Sequence, residues 1–242
     1  MAVESLDVKK LLESGAHFGH KTSRWHPKMA PYIFGKKNGA HIIDLTITVQ
    51  KLDDALGFIT QTVAQGKQIL LVGTKRQAKD IIKSVAETTH MPYVNERWLG
   101  GMLTNWTTIG GQVKHLKDLE SRMQTGELSA KYSKLEVQRY QEEIDQKNHM
   151  YGGIKEMAAR PGALFIVDII HEINALKEAR KLGIPVVAIV DTNADPSLVA
   201  YPIPANDDAI KTIQLITDHV KLAIERGKLE PKKTADTKDK QE

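Results

Sequence analysis

Between Glu13 and Asp44 the chain carries no carboxylate, while Lys21, Arg24, Lys28, Lys36 and Lys37 fall in that interval beside Trp25, Tyr32 and Phe34. A second acid-free stretch, Ala55 to Lys79, holds Lys67, Lys75, Arg76 and Lys79. Cations without local counter-charges, interleaved with rings and glycines, suit a polyanion: they neutralise phosphates while aromatic faces stack on bases. The plainer alternative is a solvated basic surface.

Two further segments could carry chemistry. Gly73-Thr-Lys-Arg-Gln-Ala78 puts a glycine, Lys75 and Arg76 between an apolar run and a helical pattern. Free N–H groups at such a helix start can seat a phosphate, although a tight turn with two surface cations would look the same. The second glycine and the Lys-Ser/Thr pair of a Walker loop are missing, and no G-x-G-x-x-G occurs. Asn95-Glu-Arg-Trp-Leu-Gly-Gly-Met-Leu-Thr-Asn-Trp106 places Arg97, Trp98 and Asn105 around a glycine pair. It offers stacking faces, close backbone approach and a guanidinium for phosphate or base edges. Alternatively Trp98, Leu99 and Trp106 plug a sheet edge.

His17-Phe-Gly-His20 and His26 have a spacing that metal sites use, but no carboxylate between Glu13 and Asp44 completes a local set and no H-E-x-x-H occurs. Neither a metal nor a cofactor is expected. Asp168, Asp191 and Asp195 stand at or after strand ends, where a catalytic carboxylate would sit, yet no matching Ser/His or Lys constellation accompanies them. Asp191-Thr-Asn193 followed by Asp195-Pro196 reads as an Asx-type turn. An enzyme acting on a nucleotide or sugar phosphate therefore lacks its fingerprints, and no small-molecule substrate is expected.

The elements that must position these groups alternate in type. Apolar runs at 68–72, 163–168 and 185–191, with shorter ones at 92–94 and 201–203, predict about five strands; His41 to Asp44 adds another short one. Amphipathic stripes predict helices over 45–65, 75–89 and 172–182, and a long one capped by Asn206 that ends at Gly227. Apolar strands alternating with such helices imply an α/β, doubly wound parallel sheet. Ile109, Val113, Leu116 and Met123, then Val137, Tyr140, Ile144, Tyr151 and Ile154, predict two narrow-striped helices pairing as an inserted antiparallel hairpin, a coiled coil. The expected organisation is a helix and basic RNA-binding loop (1–40), an α/β domain (41–106 and 159–228), the hairpin (107–158) and a disordered tail (229–242).

The charge is uneven. Residues 1–110 hold 14 Lys/Arg against 9 Asp/Glu, residues 111–157 hold 8 against 8, and residues 158–242 hold 12 against 13, so the basic surplus lies N-terminal. With 41% hydrophobic and 26% charged residues in 242, a sizeable core is possible and a wholly disordered chain is excluded. Zero cysteines exclude disulfides, thiolate metal sites and a cysteine nucleophile, and fit a reducing cytoplasm. No apolar run approaches the roughly 18 residues of a membrane span, and no basic-then-apolar leader is visible.

Several blocks occur together and in order: Leu11 to His20, Trp25 to Gly35, Val72 to Arg76, Arg97 to Trp106, Pro161 to Asp168, Leu182 to Asn193 and Asn206 to Ile210. In these the chain resembles the bacterial small-subunit ribosomal protein two family over about residues 4–228. The resemblance implies a flavodoxin-like core with an inserted hairpin, no catalysis, and a place between head and body of the small subunit in the cytoplasm. It also implies contact with ribosomal RNA and with neighbouring small-subunit proteins, including ribosomal protein one, which recruits messenger RNA. The RNA-contacting candidates are Lys21, Arg24, Trp25, Lys28, Lys36, Lys37, Lys75, Arg76, Arg97, Trp98 and Asn105.

Overall fold

A computed structural model describes residues 7–157 and 159–230. Asp7 caps α1 (Val8–Ser14) by accepting from the Lys9 N–H. There follows a three-stranded antiparallel sheet of β1 (Phe18–Lys21), β2 (Ile33–Lys37) and β3 (Ala40–Ile43), in the order β1-β3-β2. The segment expected as a loop thus contains β1 and β2 of this sheet, joined by 3-10 turns at Thr22–Arg24 and Pro27–Tyr32. Asn38 (φ 53°) and Gly39 (φ 76°) both sit left-handed between β2 and β3, the conformation that a two-residue hairpin turn with right-handed strand twist requires.

The main sheet comes next. α2 (Leu45–Ala64) starts at Asp44, whose carboxylate accepts from the Thr46 N–H at 2.9 Å and its hydroxyl at 2.6 Å. Then come β4 (Ile69–Val72), α3 (Lys79–Thr89), β5 (Tyr93–Val94), α4 (Trp106–Gln124), α5 (Glu127–Lys131), α6 (Lys134–Tyr151), β6 (Ala163–Val167), α7 (Ile173–Lys181), β7 (Val186–Val190), β8 (Tyr201–Pro204) and α8 (Ile210–Leu229). The strand order is β5-β4-β6-β7-β8 with every neighbouring pair parallel, which is the doubly wound, flavodoxin-like order. Alternate strand residues serve opposite faces. Ile69, Leu71, Phe165, Val187, Ile189 and Ile203 pack with α2, α3 and α8. Leu70, Val72, Leu164, Ile166, Ala188 and Val190 pack with α7, Trp98, Met102 and Leu103. Among the described residues no helix is long and apolar enough to cross a membrane.

Two helix starts differ from expectation. α3 begins at Lys79 because 75–78 form a turn, and α8 begins at Ile210 because Asn206 closes a turn of its own, accepting from the Asp208 and Ala209 N–H groups. The inserted helices also share more with the core than their stripes suggest. Ile109 and Val113 of α4 pack on the sheet face with Ile154 and Met157, and only Leu116, Leu119 and Ile144 form a buried cluster belonging to the helices themselves. Lys147 occupies its apolar register by donating to Gln112 Oε1 at 2.8 Å. At the root, a Cβ on Gly153 would stand 2.2 Å from the Tyr93 carbonyl oxygen, so a glycine is needed where the insertion returns to β5. Of the expected tail, residues 231–242 lie outside the described residues, as do 1–6 at the other end.

Candidate nucleic-acid interface

The small sheet docks at the carboxyl ends of the parallel strands, where ligand sites of this architecture are built. Gly19 permits the approach: a Cβ there would lie 2.6 Å from Thr192 Cγ2. The His20 N–H donates to Thr192 Oγ1 at 2.8 Å, and the His26 N–H to the Thr192 carbonyl at 2.7 Å. The His20 ring completes the joint, with Nδ1 3.0 Å from Asp191 Oδ2. The hydrogen bond to Asp191 raises its pKa, against the effect of burial and with help from the Asp191, Asp207 and Asp208 charges. Asp191 and Asp195 fix their loop as expected. Asp191 accepts from the Thr192 hydroxyl at 3.0 Å, and Asp195 from the Ser197 N–H at 2.9 Å and hydroxyl at 2.6 Å.

The register of the small sheet gathers cations. Ala40 of β3 pairs with Lys21 of β1 on one side and Lys37 of β2 on the other, and Lys36 pairs with His41. Arg24 follows directly after β1. Lys21, Arg24, Lys36 and Lys37 are all exposed, and among the described residues none has an ion-pair partner. Trp25 is 38% exposed, its ring 5.0 Å from His41. Arg76, Arg97 and Asn105 are exposed on the loops that leave β4 and β5, at the same end of the sheet.

Three candidates are engaged elsewhere. Lys75, offered as a phosphate ligand, is only 14% exposed and donates to Asp207 at 2.8 Å and Asp168 at 3.1 Å, with Asp208 at 2.7 Å. Burial acts to neutralise Lys75, but those carboxylates outweigh it and hold the ammonium charged. The phosphate seat is closed as well, for the Thr74 N–H and hydroxyl both donate to the buried Glu172 carboxylate. Lys28 donates to Asp195 at 2.8 Å and to Ser197 at 2.7 Å, clamping the small sheet to the 195–197 loop. Asp195, despite partial burial, is held down to about 2 by Lys28 and Ser197. Trp98 is 7% exposed and its indole N–H donates to Glu178 Oε1 at 3.0 Å, so it plugs the sheet face instead of stacking on a ligand.

Residues 11–227 match the family model described as Ribosomal protein S2. Curated relatives of the name small ribosomal subunit protein uS2 agree. The Syntrophobacter fumaroxidans protein is 51% identical over 92% of this chain and 81% of its own length. The Zymomonas mobilis protein is 49% identical over 94% and 90% respectively, and the Roseiflexus protein 52% identical over 87% and 80%. The chain belongs to the ribosomal protein S2 family.

Two features of this S2-family site escaped the sequence reading. Glu178, mid-helix in α7, accepts from the Trp98 indole and from the Gly101, Leu103 and Thr104 N–H groups at 2.8–3.0 Å. Burial would raise its pKa, but these donors hold it lowered. One carboxylate thereby shapes the whole glycine-pair loop, and nothing local in Lys-Glu-Ala-Arg signals it. Asp207 is the other. It is buried, and burial together with Asp168 and Asp191 pushes its carboxyl up to about 7 against the pull of Lys75. The histidines go to separate partners: His26 Nδ1 accepts from the Lys28 N–H at 3.3 Å while His20 faces Asp191. Among the described residues no group of three His, Asp or Glu is placed to hold a metal ion.

Proposed function

We propose that this S2-family chain is a structural, non-enzymatic component of the small ribosomal subunit in the cytoplasm. It binds the subunit's RNA through the cationic end of the small sheet. The carrying observation is that Lys21, Arg24, Lys36 and Lys37 are exposed there and have no ion-pair partner among the described residues, whereas Lys28 and Lys75 are consumed in ion pairs. Trp25 lies alongside them. Arg76, Arg97 and Asn105 extend the contact along the strand ends. Residues 107–158, with balanced charge, dock in a site of RNA or protein that the basic face has already positioned. In this reading the chain sits between head and body and helps to hold ribosomal protein one for messenger RNA recruitment, a role that the family resemblance suggests.

Replacing Lys21, Arg24, Lys36 and Lys37 by Glu should weaken binding to small-subunit RNA and flatten its salt dependence by about 0.7–0.9 in log–log slope for each phosphate no longer neutralised. Unchanged affinity and slope would move the RNA surface elsewhere. Ribosomal protein one should cosediment less with subunits lacking this chain than with complete ones.

A further inference from the structure

Beside the cationic end of the small sheet lies a cleft of about 500 Å³, bounded among others by Phe18, Lys21, Ser23, Arg24, Asn206 and Asp208. That volume lies within the roughly 300–1,000 Å³ of small-ligand sites. We infer that the cleft seats one unpaired nucleotide of the RNA, its phosphate on Lys21 and Arg24 and its base turned inward against Phe18 and Asp208. The inference rests on the RNA reading above and adds a base-specific seat to it.

The walls differ in charge, and that sets the orientation. Lys21, Arg24 and the Ser23 hydroxyl form an exposed cationic side. Behind the opposite side stand Asp168, Asp191, Asp207 and Asp208, facing Lys75 and His20 as their counter-charges among the described residues. An anion is repelled from that end, while the amino group of a base is attracted to it. Asp208 has the capacity to accept. Its side chain is 53% exposed; Oδ1 is taken by Lys75 at 2.7 Å, but Oδ2 lies 3.7 Å from His20 Nε2, beyond hydrogen-bond distance. Asn206 is a fixed wall, its amide spent on the Gly15 carbonyl and on the Asp208 and Ala209 N–H groups. Phe18, whose ring lies 4.0 Å from that of His17, is still 52% exposed on a strand end, and it is this exposed part that a base would stack on.

The chemistry discriminates among bases. Adenine, cytosine and guanine carry an exocyclic amine that a carboxylate accepts; uracil offers only its ring N3–H, flanked by two carbonyl oxygens that the carboxylate repels. Base-paired amines are already engaged, so the occupant is a single-stranded or bulged nucleotide.

Equilibrium binding of the full chain to short oligo(rA), oligo(rC) and oligo(rU) tests this, with AMP, CMP and UMP as free competitors. The amine-bearing oligomers should bind about tenfold tighter than oligo(rU), the order of one hydrogen bond to a charged acceptor. Asp208→Ala, which removes the acceptor outright, should erase that preference without altering the salt slope. Phe18→Ala should weaken all three oligomers about equally, by roughly five- to a hundredfold, as when a base stack is removed. Normal binding and salt slope with no base preference, unmoved by Asp208→Ala or Phe18→Ala, would overturn the seat and leave the RNA reading intact. No binding of any oligomer together with no binding of small-subunit RNA would overturn the RNA reading itself. Mononucleotides competing as well as the oligomers would make this a free-nucleotide site and overturn the proposal.

Discussion

A tryptophan beside an arginine and two glycines looks like a contact surface in a linear sequence, and its role here is decided by a carboxylate 80 positions later. Glu178 is half of a long-range pair whose other half is a loop, so neither side carries a local signal. Trp98→Ala should accordingly cost about 3–5 kcal/mol in urea unfolding, the usual range for deleting a buried large aromatic, while RNA affinity per folded molecule stays unchanged. A variant that kept its stability and lost affinity would return Trp98 to the binding surface. Glu178→Ala should lower stability as well, because the Gly101, Leu103 and Thr104 N–H groups lose their acceptor. Arg97, exposed next door, is the residue of this motif free to touch a ligand.

Elements were legible wherever one periodicity dominated. β6 and β7 are buried at every position, so their apolar runs marked them unambiguously. β1 and β2 mix exposed and half-buried positions without a buried face, and their hydrophobic pattern is correspondingly absent; Asn38-Gly39 was the one local signal of a hairpin there. The inserted helices fall between these cases. Their stripe is real, but its inner part, Ile109 and Val113, faces the sheet, because side chains at the root of a lobe complete the core they leave from. The lobe boundary therefore lies further out than 107 and 158. Replacing residues 115–150 by a short glycine linker should leave a cooperatively unfolding α/β domain that still binds RNA, since it removes the cluster of Leu116, Leu119 and Ile144 and spares Ile109, Val113 and Met157. Excising 106–157 should instead uncover Leu70, Val72, Leu164 and Ile166 and abolish the cooperative transition. Circular dichroism melts of both proteins check this, and poor incorporation of the first into small subunits would tie the lobe to assembly. A molten 115–150 deletion would make the outer lobe part of the core.

At the scale of the whole molecule, the basic small sheet is held on the α/β core by an acidic cluster at the strand ends, so the exposed cations and the joint beneath them have opposite sign. Asp207 is the least comfortable member of that cluster. Its carboxyl titrates near 7 in the folded protein because it is buried beside Asp168 and Asp191, whereas an unfolded aspartate titrates near about 4. Between those values the native state holds a proton that the unfolded chain has released, so this contribution to stability is full at low pH and is lost as pH rises through about 7. His20 acts in the same sense, its raised value making a contribution that fades as pH rises through its folded titration. His17 and His41, both lowered by burial, act oppositely, with contributions present above about 6.5 and lost as pH falls. Asp207→Asn removes one group from this sum. The stability of the wild-type protein minus that of Asp207→Asn, from urea titrations, should therefore fall from pH 4.5 to 7, by at most about 1.4 kcal/mol per pH unit, and flatten above it. A difference independent of pH would mean that Lys75 keeps Asp207 ionised throughout, and that the joint between the two sheets is a plain ion pair.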